Sequence, residues 1–263
     1  MRGLIAHLLL AWPLAKRDIM ARYRGSAAGV LWTLIGPLAM VAIYSAVFQG
    51  VFQARWAGAA GTSSGGAGYA MRLFAGLIVF SAVSEVATRA TRLMQDNANL
   101  VKRVVFPLEL LCVALVMQVA VHVGLQLLVL GLMQLAFGGG IGASAAWLLL
   151  VLPWMLVLMM AVALGLAALG CYLRDLQHLI PLIMSGLMFL SPVFYPQSAA
   201  PAPLRLLLSL NPLSAPIEGL RAAWFGEPYS WADATWPLGV ALLGLGLMRA
   251  LFLRLRPGFA DLV

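Results

Sequence analysis

Apolar residues fill this chain in six long stretches separated by short polar segments, at 30–52, 73–87, 107–137, 145–172, 179–195 and 235–253. The runs are continuous. Strands of a membrane barrel would instead alternate apolar and polar residues over ~10 positions, whereas a helix needs about 20 apolar residues to cross the hydrocarbon. The pattern predicts an all-α integral membrane fold, one transmembrane domain over 1–263 with six transmembrane helices. The third and fourth runs are longer than one span needs, which predicts tilt or projection beyond the bilayer. The second is short and must borrow flanking residues.

The segments between runs carry their own signals. Before the first run, Leu4, Ile5, Leu8 and Trp12 recur at helical spacing, and no small-x-small cleavage site precedes Lys16-Arg17-Asp18. Residues 1–28 are therefore expected to form an uncleaved amphipathic helix lying along the membrane interface. Residues 54–70 are rich in Gly and Ser and read as a flexible connector. Residues 88–106 mix both charge signs with helix formers and predict a short ordered helix; Glu85 and Arg89, four apart where it begins, are spaced to pair. Residues 196–231 hold two short apolar pieces, Leu204–Leu210 and Pro216–Phe225, split by Asn211-Pro212. Each is too short to cross the membrane at 1.5 Å per residue and too apolar for an exposed loop. A re-entrant helix pair between spans five and six satisfies both facts.

Composition agrees: 63% of residues are hydrophobic, 10% are charged, and the mean hydropathy is +0.96. So few charges cannot cover a water-facing surface. The net charge of +8 would suggest nucleic acid in a soluble protein. Its distribution argues for orientation instead. With the N-terminus inside, inner segments hold Arg2, Lys16, Arg17, Arg22, Arg24, Arg89, Arg92, Lys102, Arg103, Arg174, Arg249, Arg254 and Arg256, and outer segments only Arg55, Arg72, Arg205 and Arg221. Both termini are expected in the cytoplasm, and no nucleic-acid partner is expected. Cys112 and Cys171 lie in apolar runs and read as small buried hydrophobes.

No catalytic or metal constellation is present in the sequence. Lys16 and Lys102 are each followed by Arg, so there is no GxxxxGK[ST], and an ATP-driven function would need a second polypeptide. His7, His122 and His178 are scattered, and no CxxC or HExxH occurs. Within the third run, Gln118, His122 and Gln126 form one polar stripe. With no carboxylate in the core of that span, this reads as a neutral histidine hydrogen-bonded to the glutamines or to a neighbouring helix. Aromatic side chains cluster at Tyr44, Phe48 and Phe52, at Phe189, Phe194 and Tyr195, and at Trp224 and Phe225. An interfacial belt and ordinary packing explain most of them; a lining on which sugar rings slide is the sharper reading.

From Arg17 onward the sequence resembles a known family. Arg17-Asp18, Arg22-Tyr23-Arg24, Ser26, Gly29, Trp32 and Pro37 match the entry segment of permeases of type-two ABC exporters that move polysaccharides, such as O-antigen and capsule exporters. So do Arg174-Asp175, Pro181 and Leu190-Ser191-Pro192-Val193-Phe194-Tyr195-Pro196, then Leu210-Asn211-Pro212-Leu213 with Glu218 and Arg221, and finally Leu255-Arg256-Pro257-Gly258-Phe259-Ala260-Asp261. The matches run through the chain in order; together they indicate the family and leave the polymer open.

The resemblance implies a multi-pass subunit of the bacterial inner membrane that forms a homodimer. Each copy pairs with a P-loop ATPase subunit that binds ATP and Mg; the chain itself is not an enzyme and holds no cofactor. It implies an ATPase-coupling set of Arg17, Asp18, Arg22, Arg24, Arg89, Arg92, Asp96, Lys102, Arg103, Arg174 and Asp175. The first, second and fifth spans would line a conduit for a polysaccharide or lipid-linked glycan, with Trp32, Tyr44, Phe48, Phe189, Phe194, Tyr195, Trp224 and Phe225 as candidates along it. Permeases of the same architecture that move teichoic acid, drugs or heme remain alternatives. An ion-coupled secondary transporter would show paired charges inside the membrane or inverted repeats, and the sequence shows neither: Asp and Glu avoid the span centres apart from Glu85 and Glu109 near cytoplasmic ends.

Overall fold

The structure is a computed structural model that describes residues 11–17, 19–20, 31–47, 66–102, 106–137, 140, 142–232 and 234–263. No strand occurs among the described residues. The helices are α1 (Trp32–Ser45), α2 (Gly66–Ala90), α3 (Leu93–Asp96), α4 (Ala98–Val101), α5 (Glu109–Phe137), α6 (Leu148–Tyr172), α7 (Leu176–Phe189), α8 (Ala202–Leu210), α9 (Ser214–Phe225), α10 (Thr235–Leu255) and α11 (Phe259–Leu262). Residues 11–17 are also helical.

Each of the six apolar runs contains a helix. By length and composition, four stretches among the described residues can cross a membrane: Ala67–Ala90, Glu109–Phe137, Ala143–Tyr172 and Thr235–Leu262. α7 has 14 residues and spans about 21 Å, less than the hydrocarbon thickness. It stops at Phe189, where the fifth run was expected to continue to Tyr195. α2 is the reverse case. It reaches beyond the apolar run at both ends, so Gly66–Ala70 of the expected flexible connector is helical.

α2 lies at the centre and packs on α1, α5, α6, α7 and α9. α10 lies along α6 and turns the rest of its surface outward, with Trp236, Leu242, Leu243 and Leu247 exposed. Such a face is stable in hydrocarbon, where an exposed leucine costs nothing. Close helix approach depends on missing side chains. A Cβ on Gly170 would overlap the Thr91 carbonyl, and one on Gly165 would lie 2.6 Å from the Met248 sulfur.

Two segments depart from expectation. Residues 88–106 are not one helix: the first three close α2, and the next described residues form the single turns α3 and α4. Asn97 makes the break. Its backbone is non-helical (φ −117°, ψ 31°), and its side-chain amide donates to the Leu93 carbonyl at 2.9 Å, taking an acceptor that a continuous helix would use. Between α7 and α10 the two short helices are present, but they are unlike. α9 is almost wholly buried against α2 and α6, while α8 buries only Leu208. Asn211 forms the turn between them, its Oδ1 accepting the Leu213 N–H at 2.9 Å, and Gly226 ends α9 in the left-handed region at φ 68°.

Side-chain contacts define two ends. Arg17 meets Asn97, Gln95 meets Gly170, and Tyr172 meets Leu255 at one end. Tyr69 meets Phe194, Arg72 meets Glu227, and Trp147 stacks on Trp231 at the other.

Candidate functional site

A groove of about 580 Å³ opens between α1, α2 and α7, with Gln126 of α5 in its wall. One part is apolar, formed by Met40, Tyr44, Phe74, Leu77, Ile78 and Met188. The part nearer the Arg17–Asn97 end is polar: Ser81, Ser84, Glu85, Thr88 and Arg89 face it from α2. Their spacing of i, i+3, i+4, i+7 and i+8 is one face of a helix, so α2 turns a hydroxyl-rich, charge-bearing stripe into the groove.

Behind that stripe lies a polar network. Glu85 Oε1 accepts from Arg89 Nη1 at 3.1 Å, and Arg89 Nη2 donates to Gln118 Oε1 at 2.9 Å. His122 Nδ1 stands 3.8 Å from Glu85 Oε2, an ionic contact when the imidazole is protonated. Gln118 and His122 are buried at 1% and 5% exposure. Pairing of Glu85 with Arg89 agrees with their spacing in the sequence. For His122, of the partners expected, the structure shows a contact with a neighbouring helix. Its own span holds no carboxylate near it, but neighbouring α2 supplies one. Charges within a membrane helix are costly unless paired, and here each has a partner.

The expected ATPase-coupling residues fall at the end of the molecule near α3 and α4. Arg17 Nη2 reaches Asn97 Oδ1 at 3.4 Å, which ties the N-terminal helical segment to the α3–α4 break. Arg92 and Asp96 are exposed and 4.0 Å apart, a geometry worth little to stability. Lys102, Arg174 and Asp175 are exposed, the last two at the start of α7. Arg89 belongs to the groove network instead. Asp18, Arg22, Arg24 and Arg103 lie outside the described residues.

The conduit candidates separate. Tyr44 lines the groove and meets the Phe194 ring edge-on at 5.1 Å. Phe189 stacks on Phe194 at 5.4 Å, and Tyr195 donates its hydroxyl to the Phe189 carbonyl at 2.8 Å. Phe194 and Trp224 are buried, Trp224 against Gly131, so neither presents a free ring face to the groove. Phe225 lies under the Arg72 guanidinium at 5.1 Å. Trp32 is exposed, and Phe48 lies outside the described residues.

Sequence reasoning missed how the turn after α7 is held. A helix end leaves carbonyls without partners, and here distant side chains supply them. Asn211 Nδ2 donates to the Leu190 carbonyl at 2.9 Å, buried Arg221 donates to those of Pro192 and Val193, and the Tyr69 hydroxyl donates to that of Phe194 at 3.1 Å. Arg221 Nε also donates to the Arg72 carbonyl at 3.0 Å, and Arg72 Nε meets Glu227 at 2.5 Å. Glu218, on α9 outside the long helices, accepts the Gln197 N–H at 2.7 Å. Burial pushes its carboxyl above the usual carboxylate range, opposed by that N–H and by Arg221. The outcome is a fixed collar that holds the Tyr44–Phe194–Phe189 aromatic cluster beside the groove.

The arrangement is a groove with an apolar part and a polar part, set inside an apolar bundle. A model of the ABC-2 type transporter family matches residues 10–225. The chain belongs to that family. Among curated proteins, this ABC-2 type chain is 25% identical over 267 residues to an O-antigen export system permease of Myxococcus xanthus, covering 99% of this chain and 95% of that one. An O-antigen export system permease of Klebsiella pneumoniae is 22% identical over 253 residues, covering 95% and 93%. A polysialic acid transport protein of Escherichia coli is 23% identical over 210 residues, covering 79% and 78%. The family and the long apolar helices make the chain an integral membrane protein and a transport component.

Proposed function

We propose that this chain is the membrane-spanning permease of an ATP-driven exporter that carries a polysaccharide, of O-antigen or capsular type, across the bacterial inner membrane. One observation carries the reading: the alignment with an O-antigen export permease runs almost end to end, over 99% of this chain and 95% of the relative. The groove supports it, since α1, α2 and α7 border a passage with aromatic and hydroxyl side chains. The basic residues Lys16, Arg17, Arg92, Lys102, Arg174, Arg254 and Arg256 support a cytoplasmic α3–α4 end by the positive-inside rule. There a separate P-loop subunit would bind ATP with Mg. Closure of two such subunits on a permease homodimer would press on α3, which touches α2, α5 and α6, and on α4, which touches α3 and α11. A partner that biases packed helices between two arrangements is a sufficient gate. In this scheme six spans cross the membrane and α8–α9 dip back from the outer face.

The test is deletion of the coding region in its host. Polysaccharide should then accumulate in the cytoplasm and vanish from the cell surface, with recovery on complementation. Unchanged surface polysaccharide would overturn the reading. One observation favours ion coupling instead, the paired Glu85, Arg89 and His122 within the bundle. Dissipating the proton gradient at constant ATP separates the two, because only an ion-coupled carrier stops.

A further inference from the structure

We propose that the polar half of the groove is a binding subsite for uncharged, polyhydroxylated sugar units, so that the polymer this chain prefers is a neutral glycan rather than a polyanion. The inference rests on the permease reading and deepens it.

The wall chemistry carries the argument. Ser84 and Thr88 offer hydroxyls that both donate and accept, Ser81, whose hydroxyl donates to the Ile78 carbonyl, offers an acceptor, Gln126 offers an amide, and Glu85 accepts. Adjacent sugar hydroxyls need donors and acceptors side by side, and this stripe alternates them along one helix face. The apolar part supplies the complement: Tyr44 gives a ring for the C–H side of a sugar. The volume of about 580 Å³ is that of a ligand pocket.

Charge decides the class of sugar. Among the described lining residues the charged groups are Glu85 and Arg89, and they neutralise each other at 3.1 Å. Arg89 is further anchored by Gln118, so its guanidinium is directed into the network. An acidic polymer would bring a negative charge with each unit into a wall with no surplus of cations, and would meet the Glu85 carboxylate. Recognition of polyanions uses clustered, unbalanced arginine or lysine. A neutral polyol has no such conflict, because the ion pair presents it with no net charge.

The experiment uses the purified permease–ATPase complex in lipid nanodiscs with two probes of equal length, an oligomannose and an oligosialic acid. Binding is read by saturation-transfer NMR and by stimulation of ATP hydrolysis. Wild type should bind oligomannose at least tenfold more tightly than oligosialic acid. Glu85→Gln, which leaves the Arg89 charge unbalanced, should shrink that ratio tenfold or invert it. Ser84→Ala, which keeps the pair intact, should weaken oligomannose three- to tenfold and leave oligosialic acid unmoved. Equal or tighter binding of oligosialic acid by wild type overturns the proposal, as does binding of neither probe or a Ser84→Ala complex with unchanged oligomannose affinity. The permease reading fails separately: a complex that moves an acidic polymer keeps it while sinking this inference, and one that moves no glycan with ATP sinks both.

Discussion

Glu85 and Arg89 are worth more as a pair than apart. Removing either takes from the other its hydrogen-bonded opposite charge in a site only partly open to water. Glu85→Gln or Arg89→Gln should each cost about 1–2 kcal/mol, near the low end for charged hydrogen bonds because Arg89 is partly exposed. The double variant should cost less than the two added together, which a melting series in detergent would detect. A strictly additive double variant would mean that the pair is not coupled. At the opposite end, Arg221→Met removes the donors to three backbone carbonyls at once. It should destabilise far more than Asn211→Ala, which is expected to lose about 1–3 kcal/mol. Equal melting losses from the two would refute the role given to Arg221.

The helices themselves differ in how far the sequence disclosed them. The long apolar runs were legible because a bilayer demands length and hydrophobicity together, and α5, α6 and α10 start and stop within a few residues of expectation. The stripe of Ser81, Ser84, Glu85, Thr88 and Arg89 was present at helical spacing, but Val79, Phe80, Val83 and Val86 raise the local hydropathy and mask it. The contact of His122 with Glu85 was not legible, because it joins two helices whose relative rotation depends on packing. The collar was hidden for a different reason: Arg221 and Tyr69 bind backbone carbonyls, which carry no side-chain signature. Packing also sorts the glycines. Gly170→Ala drives a methyl group into the Thr91 backbone and should cost about 1–3 kcal/mol with reduced yield. Gly244→Ala on α10, where nothing lies within 4 Å, should be neutral or stabilising by up to about 1 kcal/mol. Thermal shift of the two purified variants checks the contrast.

The molecule as a whole has two chemically unlike ends joined by an apolar bundle. The orientation argued from its basic residues predicts sidedness. In spheroplasts, a membrane-impermeant maleimide should label Ala202→Cys directly and Asp96→Cys only after permeabilisation; the native Cys112 and Cys171 are buried and should stay silent. The opposite pattern would reverse the topology. The central claim is that the passage beside α2 carries glycan when a partner hydrolyses ATP. It is tested most directly in proteoliposomes containing this chain and its ATPase, with labelled polysaccharide supplied on the side of the α3–α4 end. The account predicts ATP-dependent appearance of polymer in the opposite compartment. Polymer that stays where it was added while ATP is consumed at the unstimulated rate would contradict it.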